Sequence, residues 1–431
     1  MAKDKVSKDE ILMQENPFRI FVARSDIPDE VDIREPRAHI EEAIVEVIKT
    51  VSRDKIPHIL PVLGEAGYGK THLYWALKKR YSDLYIVYIA PPLKAYDRLI
   101  QHIYFSTVKS LGYGIFEKIS ENLKKVYGDL DKALLHNPGY AADLIQVLKK
   151  IEKPELRDLA VKYLCGAPLS KDDVDVLCAR EPVFREDVSL QGLKILTDNL
   201  EKPLVLFLDE LEAPYLEGGE ESQIRYLENV KRIYNECKNL VVIMACLTDI
   251  WSKIIAIASS AAQGRTEKTK ILRRFTAKDI TEFCQRVLSN FWTVKGVTDK
   301  EKESLYPLSE NDVLSAYRFS HGNPREAIRW IKNRVEEKRF KILKKERSIE
   351  PIEILEDVIK LLKAMDNDLD IKMLLKGEEV RATVLKNGSE VKLQIKDEKL
   401  FLISKNKQET DVSEEDIDTL ANSIIENLSK N

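Results

Sequence analysis

Ile59-Leu-Pro-Val-Leu63, Gly64-Glu65-Ala66-Gly67-Tyr68-Gly69-Lys70-Thr71 and His72-Leu-Tyr-Trp-Ala-Leu-Lys-Lys-Arg80 follow one another without a break in this 431-residue chain. The middle segment fits G-x-x-x-x-G-K-[ST] without a mismatch. The apolar run before it predicts a strand and the stretch after it a helix, which is the context this motif requires. Glycines let the backbone curl so that successive N–H groups point inward at phosphate oxygens. The helix N-terminus adds its partial positive charge. Lys70 reaches the β- and γ-phosphates, and Thr71 offers a hydroxyl to Mg²⁺. The candidate nucleotide contacts are therefore Gly64, Glu65, Ala66, Gly67, Tyr68, Gly69, Lys70, Thr71 and His72. Pro61 has no N–H to give a ladder, so a local irregularity is expected in the strand.

A second signal is Pro203-Leu-Val-Leu-Phe-Leu-Asp209-Glu210-Leu-Glu212. Its apolar run predicts a buried parallel strand. Asp209 at the strand tip suits a Mg²⁺ shell, and Glu210 suits orientation and activation of water. Glu212 and Glu217 read as solvated neighbours. A third strand, Leu240–Leu247, ends in Thr248-Asp249. If it lies between the other two strands, its tip reaches the γ-phosphate or the water; Thr248 is the choice and Asp249 the alternative. Further on, Ser320-His-Gly-Asn-Pro324-Arg325 predicts a helix start with proline in the first turn. A dipole there favours acids, so Arg325 reads as ligand-facing.

Composition narrows the class. The chain is 44% apolar and 33% charged, with 69 basic and 72 acidic residues, against a usual charged share of about 25%. No apolar run approaches membrane-spanning length, and the N-terminus lacks an apolar leader core. Five cysteines without Cys-x-x-Cys spacing read as reduced thiols of a cytoplasmic protein, with no zinc site. The net charge of −3 argues against a generic polycation. Residues 350–431 hold 12 basic and 19 acidic residues, a net of −7, which leaves +4 on the first 349.

The predicted organisation is an α/β nucleotide-binding domain over 1–275, a helical lid over 276–349 and an acidic α+β domain over 350–431. Lys70 and Asp209 lie 139 residues apart, and the excess chain, about 95–195, reads as an all-helical insertion. Helices are expected at Asp97–Leu111, Ile115–Tyr127, Ala141–Ile151 and Pro154–Leu164, with a capping box at Ser170–Asp173 opening another towards Arg180. In the lid, Thr276 and Ser309 cap helices, and a long helix runs from Asn323 to about Arg347 with a basic end. That end reads as a solvated face matched to the dipole; a phosphate-contacting surface is the alternative. The last domain reads as a helix (Pro351–Met365), three strands (Glu379–Leu385, Glu390–Ile395, Lys399–Ser404) and a helix capped by Ser413. Asn387-Gly388 marks a hairpin. Asp366–Asp370 fails as a calcium loop because Ile371 and Gly377 stand where glycine and glutamate are needed.

With these residues in place the chain resembles an AAA+ P-loop ATPase. Gly64–Thr71 resembles Walker A, Asp209-Glu210 Walker B, Thr248 sensor 1, and Gly322-Asn-Pro-Arg325 the G-x-x-R sensor 2 of the origin-recognition/initiator group. Tyr163-Leu-Cys-Gly166, the helical stretch after it and Leu206–Glu212 resemble the prokaryotic members of that group, including ATPases of BREX phage-defence systems. The resemblance covers residues 15–345.

It implies a parallel sheet core with a helical lid, and ATP and Mg as cofactors. Asn16-Pro17-Phe18 and the helix near Pro36–Val51 would hold adenine. Thr71 and Asp209 would hold the metal. Lys70, Glu210, Thr248 and Arg325 would act on the phosphates and water. It also implies an arginine finger acting in trans; Arg265 is the choice, with Arg273 and Arg274 competing. Self-association would follow, with double-stranded DNA as a candidate partner. The implied activity is ATP hydrolysis driving assembly on, or remodelling of, DNA or a DNA-bound protein. The alternative is a nucleotide-switched scaffold with slow hydrolysis. Initiator ATPases usually end in a winged-helix domain. The acidic C-terminal part departs from that pattern, so it or the insertion is expected to contact a protein partner.

Overall fold

Four apolar runs and one two-residue strand build a parallel sheet: β1 (His58–Leu63), β2 (Tyr85–Ile89), β3 (Leu204–Leu208), β4 (Leu240–Cys246) and the short β5 (Lys270–Ile271), in the spatial order β2-β3-β4-β1-β5. The computed structural model describes residues 7–18, 31–91, 98–297, 305–346, 351–366, 368–376, 379–386, 389–396, 399–403, 409–412 and 417–429. Two units are present, Asn16–Val335 and Met1–Glu15 with Glu336–Asn431.

In the first unit the strands are covered on both faces, as a parallel sheet requires. Side chains alternate along each strand. Val205 and Phe207 join Ile40, Ile44, Leu73 and Leu77 from the helices Ala38–Asp54 and Lys70–Arg80. Leu204, Leu206 and Leu208 join the opposite core with Ile100, Ile103 and Tyr104 of the helix Leu99–Leu111 and Leu193 and Leu196 of the helix Glu186–Asn199. Gly192 exists for this packing, because a Cβ there would lie 2.5 Å from the Tyr104 ring.

Among the described residues from 98 to 199 the regular elements are all helices, with Ile115–Tyr127 and Pro154–Leu164 at their expected bounds. The Ser170 capping box forms, but its helix stops at Leu177, where Cys178 turns left-handed.

Pro61 does not disturb β1, which runs unbroken from His58 to Leu63. The backbone groups of Ile59 and Leu63 face β5, accepting from Glu267 N–H and Leu272 N–H at 2.8 Å. Pro61 faces the same way, and β5 pairs only with Val62 and Leu63. Between the Ile59–Thr266 bridge and the pairs at Val62 and Leu63 the ladder on that side is broken, so the missing donor interrupts no pair that forms.

The lid helices are Ala277–Val294, Glu310–Ser320 and Pro324–Glu346; the first two are capped by Thr276 and Ser309 in capping boxes. Arg347, the last basic residue of the predicted helix end, lies outside the described residues.

The second unit holds an antiparallel sheet in the order β10-β9-β8-β7-β6. Its strands are β6 (Asp370–Lys376), β7 (Glu379–Lys386), β8 (Ser389–Lys396), β9 (Lys399–Ile403) and β10 (Glu409–Asp411). The helices Pro351–Met365 and Ile417–Ser429 bury Leu355, Leu362, Leu420 and Ile424 with Ala382, Val384, Val391 and Leu393. Two strands exceed the expected three. β6 is an edge strand whose Met373 and Leu374 are exposed, so it lacks the alternation by which a half-buried strand is read. The Asn387-Gly388 turn and the Ser413 cap lie outside the described residues, although β7 and β8 pair Lys386 with Ser389 across that turn.

Candidate functional site

The glycine loop leaves β1 through Gly64, whose N–H donates to Cys246 O at 3.1 Å. Gly67 (φ +85°) and Gly69 (φ +88°) take left-handed conformations that only glycine adopts freely. Gly69 is the N-cap of the helix Lys70–Arg80 and has no side chain to occupy the first N–H groups. Lys70 Nζ donates to its own loop, to Gly64 O at 2.9 Å and Glu65 O at 3.3 Å. Burial lowers the Lys70 ammonium pKa, opposed by the negative charges of Glu212 and then Asp209.

Asp209 is 1% exposed at the tip of β3. Its Oδ2 accepts from Thr71 Oγ1 at 2.6 Å and from the Tyr88 hydroxyl at 2.9 Å. Its Oδ1 accepts the Glu210 N–H at 3.0 Å. Glu210 has φ +50°, a left-handed turn that swings its carboxylate off the line of the strand. It opens into a groove of about 1010 Å³ lined also by Tyr88, His102, Phe105 and Arg185. Although the residue is exposed, partial dehydration raises its carboxyl pKa, helped by Asp209 and Glu212.

Glu212 corrects an expectation. It is not solvated but 5% exposed, and its Oε2 accepts the Leu247 N–H at 3.1 Å. The left-handed turn at Glu210 sends the chain back across the end of β4, and that carries Glu212 inward. Glu217 is exposed, as read.

β4 pairs with both β1 and β3, so Thr248 stands at the tip between loop and carboxylates, as the first residue of the helix Thr248–Ile257. Thr248 and Asp249 are both exposed.

The lid meets the loop through Gly322–Arg325. Asn323 Nδ2 donates to Ala66 O at 2.9 Å, while its Oδ1 accepts the N–H groups of Arg325 at 3.1 Å and Glu326 at 3.4 Å. A Cβ on Gly67 would lie 2.6 Å from Asn323 Oδ1 and 2.9 Å from Arg325 Cβ. Among the described residues the Arg325 guanidinium has no hydrogen-bonded or ion-paired partner.

The three finger candidates separate. Arg273 pairs with Asp279, the capping-box acid of the next helix, at 2.7 Å. Arg274 donates to the Tyr68 hydroxyl at 2.7 Å and approaches Glu65 at 3.5 Å, on its own chain's loop. Arg265 bonds Asn235 Oδ1 at 3.1 Å and lies 5.5 Å from the Tyr234 ring centre.

His72 faces Asp32 at 3.0 Å. Asp32 also pairs with Arg37 and Arg80, and its carbonyl accepts from Arg286 of the helix Ala277–Val294 at 2.8 Å. Asn16 Nδ2 donates to Lys332 O at 3.2 Å, and Phe18 is 2% exposed.

Sequence reading missed Tyr88, Asn323 and Glu212. Asn323 carried a usable signal, since asparagine before proline at a helix start is an N-cap. Tyr88 carried none, because its role depends on β2 pairing with β3.

A glycine loop entering a helix, a buried aspartate one strand beyond β4 and a lid helix seated on the loop define a P-loop nucleoside-triphosphatase fold of the AAA+ kind. No protein-family model matches the chain, and no curated protein matches it. Solved structures similar to it include the ORC2 protein of Aeropyrum pernix in its ADPNP–ADP complexes (14% identity, TM-score 0.40, 83% of this chain and 67% of that one). The ADP form of the same protein is another (14%, 0.39, 81% and 67%). The ORC1 protein of that organism in complex with DNA is a third (12%, 0.36, 83% and 72%). The class itself rests on the strand order and the loop.

Proposed function

We propose that the chain binds ATP with Mg²⁺ on the Gly64–Thr71 loop and hydrolyses it to ADP and phosphate. The cycle drives assembly on, or remodelling of, DNA or a DNA-bound protein. The carrying observation is the Thr71–Asp209–Glu210 arrangement: a hydroxyl bonded to a buried carboxylate, whose neighbour opens to a groove.

The donor set suits Mg²⁺, a hard cation that takes one or two carboxylates and completes its shell with phosphate oxygens and water. Among the described residues no group of three or more His, Cys, Asp or Glu forms a dedicated metal cage. Thr71 and Asp209 would hold the ion, which when bound supplies charge neutralisation to the phosphates. Lys70 exchanges its own-loop carbonyls for β- and γ-phosphate oxygens. Glu210 orients the attacking water and accepts its proton as the bond from the γ-phosphorus to ADP breaks. Arg325 and Thr248 read the γ-phosphate, and Arg265 serves a neighbouring copy's site. The remaining loop residues, with His72 at the head of the helix, cradle the nucleotide.

DNA as a partner is supported by the motif resemblance and by the ORC1 neighbour's complex with DNA. The acidic unit beyond residue 350 suits contact with protein better than with phosphate backbones. No helix among the described residues is long and apolar enough to cross a membrane; the proposed location is the cytoplasm. The proposed domains are a nucleotide-binding domain over 1–275, a lid over 276–349 and an acidic domain over 350–431.

One observation favours a second reading, a nucleotide-switched scaffold with slow hydrolysis. Asn323 ties the lid directly to the loop backbone, so loop occupancy and lid position are coupled.

The test is ATPase rate and oligomer mass with and without duplex DNA. DNA-stimulated turnover supports the remodeller. ATP-dependent assembly with negligible turnover supports the scaffold. Indifference of both quantities to DNA defeats the DNA-linked reading.

A further inference from the structure

Glu212 sits at the N-cap of the helix Ala213–Glu236, yet its side chain makes no capping bond. An N-cap side chain that caps is a short one, Ser, Thr, Asp or Asn, whose oxygen accepts a free N–H of its own helix. This one instead reaches across to β4, where its Oε2 accepts the Leu247 N–H at 3.1 Å. Burial, and after it the charge of the same carboxylate, pushes the Cys246 thiol well above its ordinary pKa. The chain between is stitched to the same strand end. Leu211 N–H donates to Ala245 O at 3.0 Å, and Ala213 N–H donates to Glu210 O at 2.9 Å. Cys246 O in turn accepts the Gly64 N–H at 3.1 Å. Three parts therefore meet at the end of β4: the turn carrying Glu210 with the Glu212 carboxylate, the residues before Thr248, and the start of the phosphate loop.

Glu210 needs such a brace. Its φ of +50° is a conformation that non-glycine residues keep only when their surroundings over-determine it. Its carboxylate is exposed and accepts no side-chain bond among the described residues. Its aim is therefore set by the backbone on either side of it. Asp209 anchors one side and Glu212 the other.

We infer that Glu212 is a positioning residue that holds the Glu210 turn and the Thr248 tip at one spacing by bonding the Leu247 N–H. This rests on the ATPase reading proposed above. The bond must be made by an oxygen at the end of a side chain of glutamate length. Glutamine retains such an oxygen; aspartate keeps the charge but falls short by one methylene; alanine loses both.

The experiment measures kcat, ATP Kd and melting temperature on the full chain for E212Q, E212D, E212A and E210Q. Small misplacements of a catalytic group cost on the order of 10²-fold. E212D and E212A are expected to lose about that much kcat while binding ATP within about threefold of wild type. E212Q is expected to recover most of the loss. Wild-type turnover in E212D overturns the inference. So does a fall of E212Q to the level of E210Q, which would put Glu212 in the chemistry itself. If E212D and E212A do not fold, E212Q against E210Q decides the matter alone. Turnover lost in E210Q but kept in E212D defeats the positioning role and spares the ATPase reading. A wild-type chain without turnover defeats both.

Discussion

Asn323 uses both ends of one amide: Nδ2 donates to the Ala66 carbonyl at 2.9 Å, and Oδ1 caps the helix that starts at Pro324. Lid and phosphate loop are thereby joined through a residue that also begins the lid's longest helix. Asn323→Asp separates the two tasks. The carboxylate still caps, so melting temperature should change little. The donor to Ala66 is lost and a negative charge faces the phosphates, so ATP affinity should fall about tenfold, a difference of about 1.4 kcal/mol. Asn323→Ala should add a stability loss of about 1 kcal/mol for the missing cap. Isothermal titration and thermal melts check both.

Thr71→Val keeps shape and removes the hydroxyl that bonds Asp209 at 2.6 Å. Asp209 retains the Tyr88 hydroxyl, so folding should survive with a loss of about 1 kcal/mol. ATP binding in the presence of Mg²⁺ should weaken strongly, while binding in EDTA should barely change. Equal weakening in both buffers would remove Thr71 from the metal's shell.

Glu210 carries a pH signature. Its carboxyl pKa is raised above the ordinary 4.5, first by dehydration and then by Asp209 and Glu212. A base must be ionised to act, so the acid limb of kcat against pH should lie above the usual carboxylate range. Stability follows the same shift. Between the ordinary and the raised value the folded chain binds more protons than the unfolded chain, so this group lowers stability as pH rises through that window. Glu210→Gln should therefore melt at a temperature closer to wild type below about pH 4 and become the more stable protein at neutral pH. A temperature difference independent of pH would contradict this.

Leu393 is fully buried in the C-terminal sheet between Ala382 and Leu402 of the flanking strands. Leu393→Ala should destabilise that unit by about 2–5 kcal/mol. Hydrogen exchange over β7 to β9 should report the loss directly. Protection unchanged there would mean that the sheet is not held by this core.

How much of this was legible depends on how local the information is. Gly64–Thr71 and Asp209-Glu210 were readable because their chemistry lies in consecutive residues: a loop needs glycines at fixed positions, and a strand tip presents what comes next. The capping boxes at Ser170, Thr276 and Ser309 were readable for the same reason. Pro61 was misjudged because its tolerance depends on where β5 begins, some 200 residues later. β6 was missed because an edge strand has little burial to impose a pattern.

The sequence by itself determined the phosphate loop, the carboxylate pair, the helical stretch between them and the change in charge near residue 350. Each follows from local spacing or from composition. Only the tertiary structure decided that Tyr88 serves Asp209, that Asn323 binds Ala66 and that Glu212 is buried against Leu247. Those are meetings of residues from 35 to 257 positions apart. Strand order and one left-handed turn at Glu210 bring them together, and neither can be read from the residues that meet.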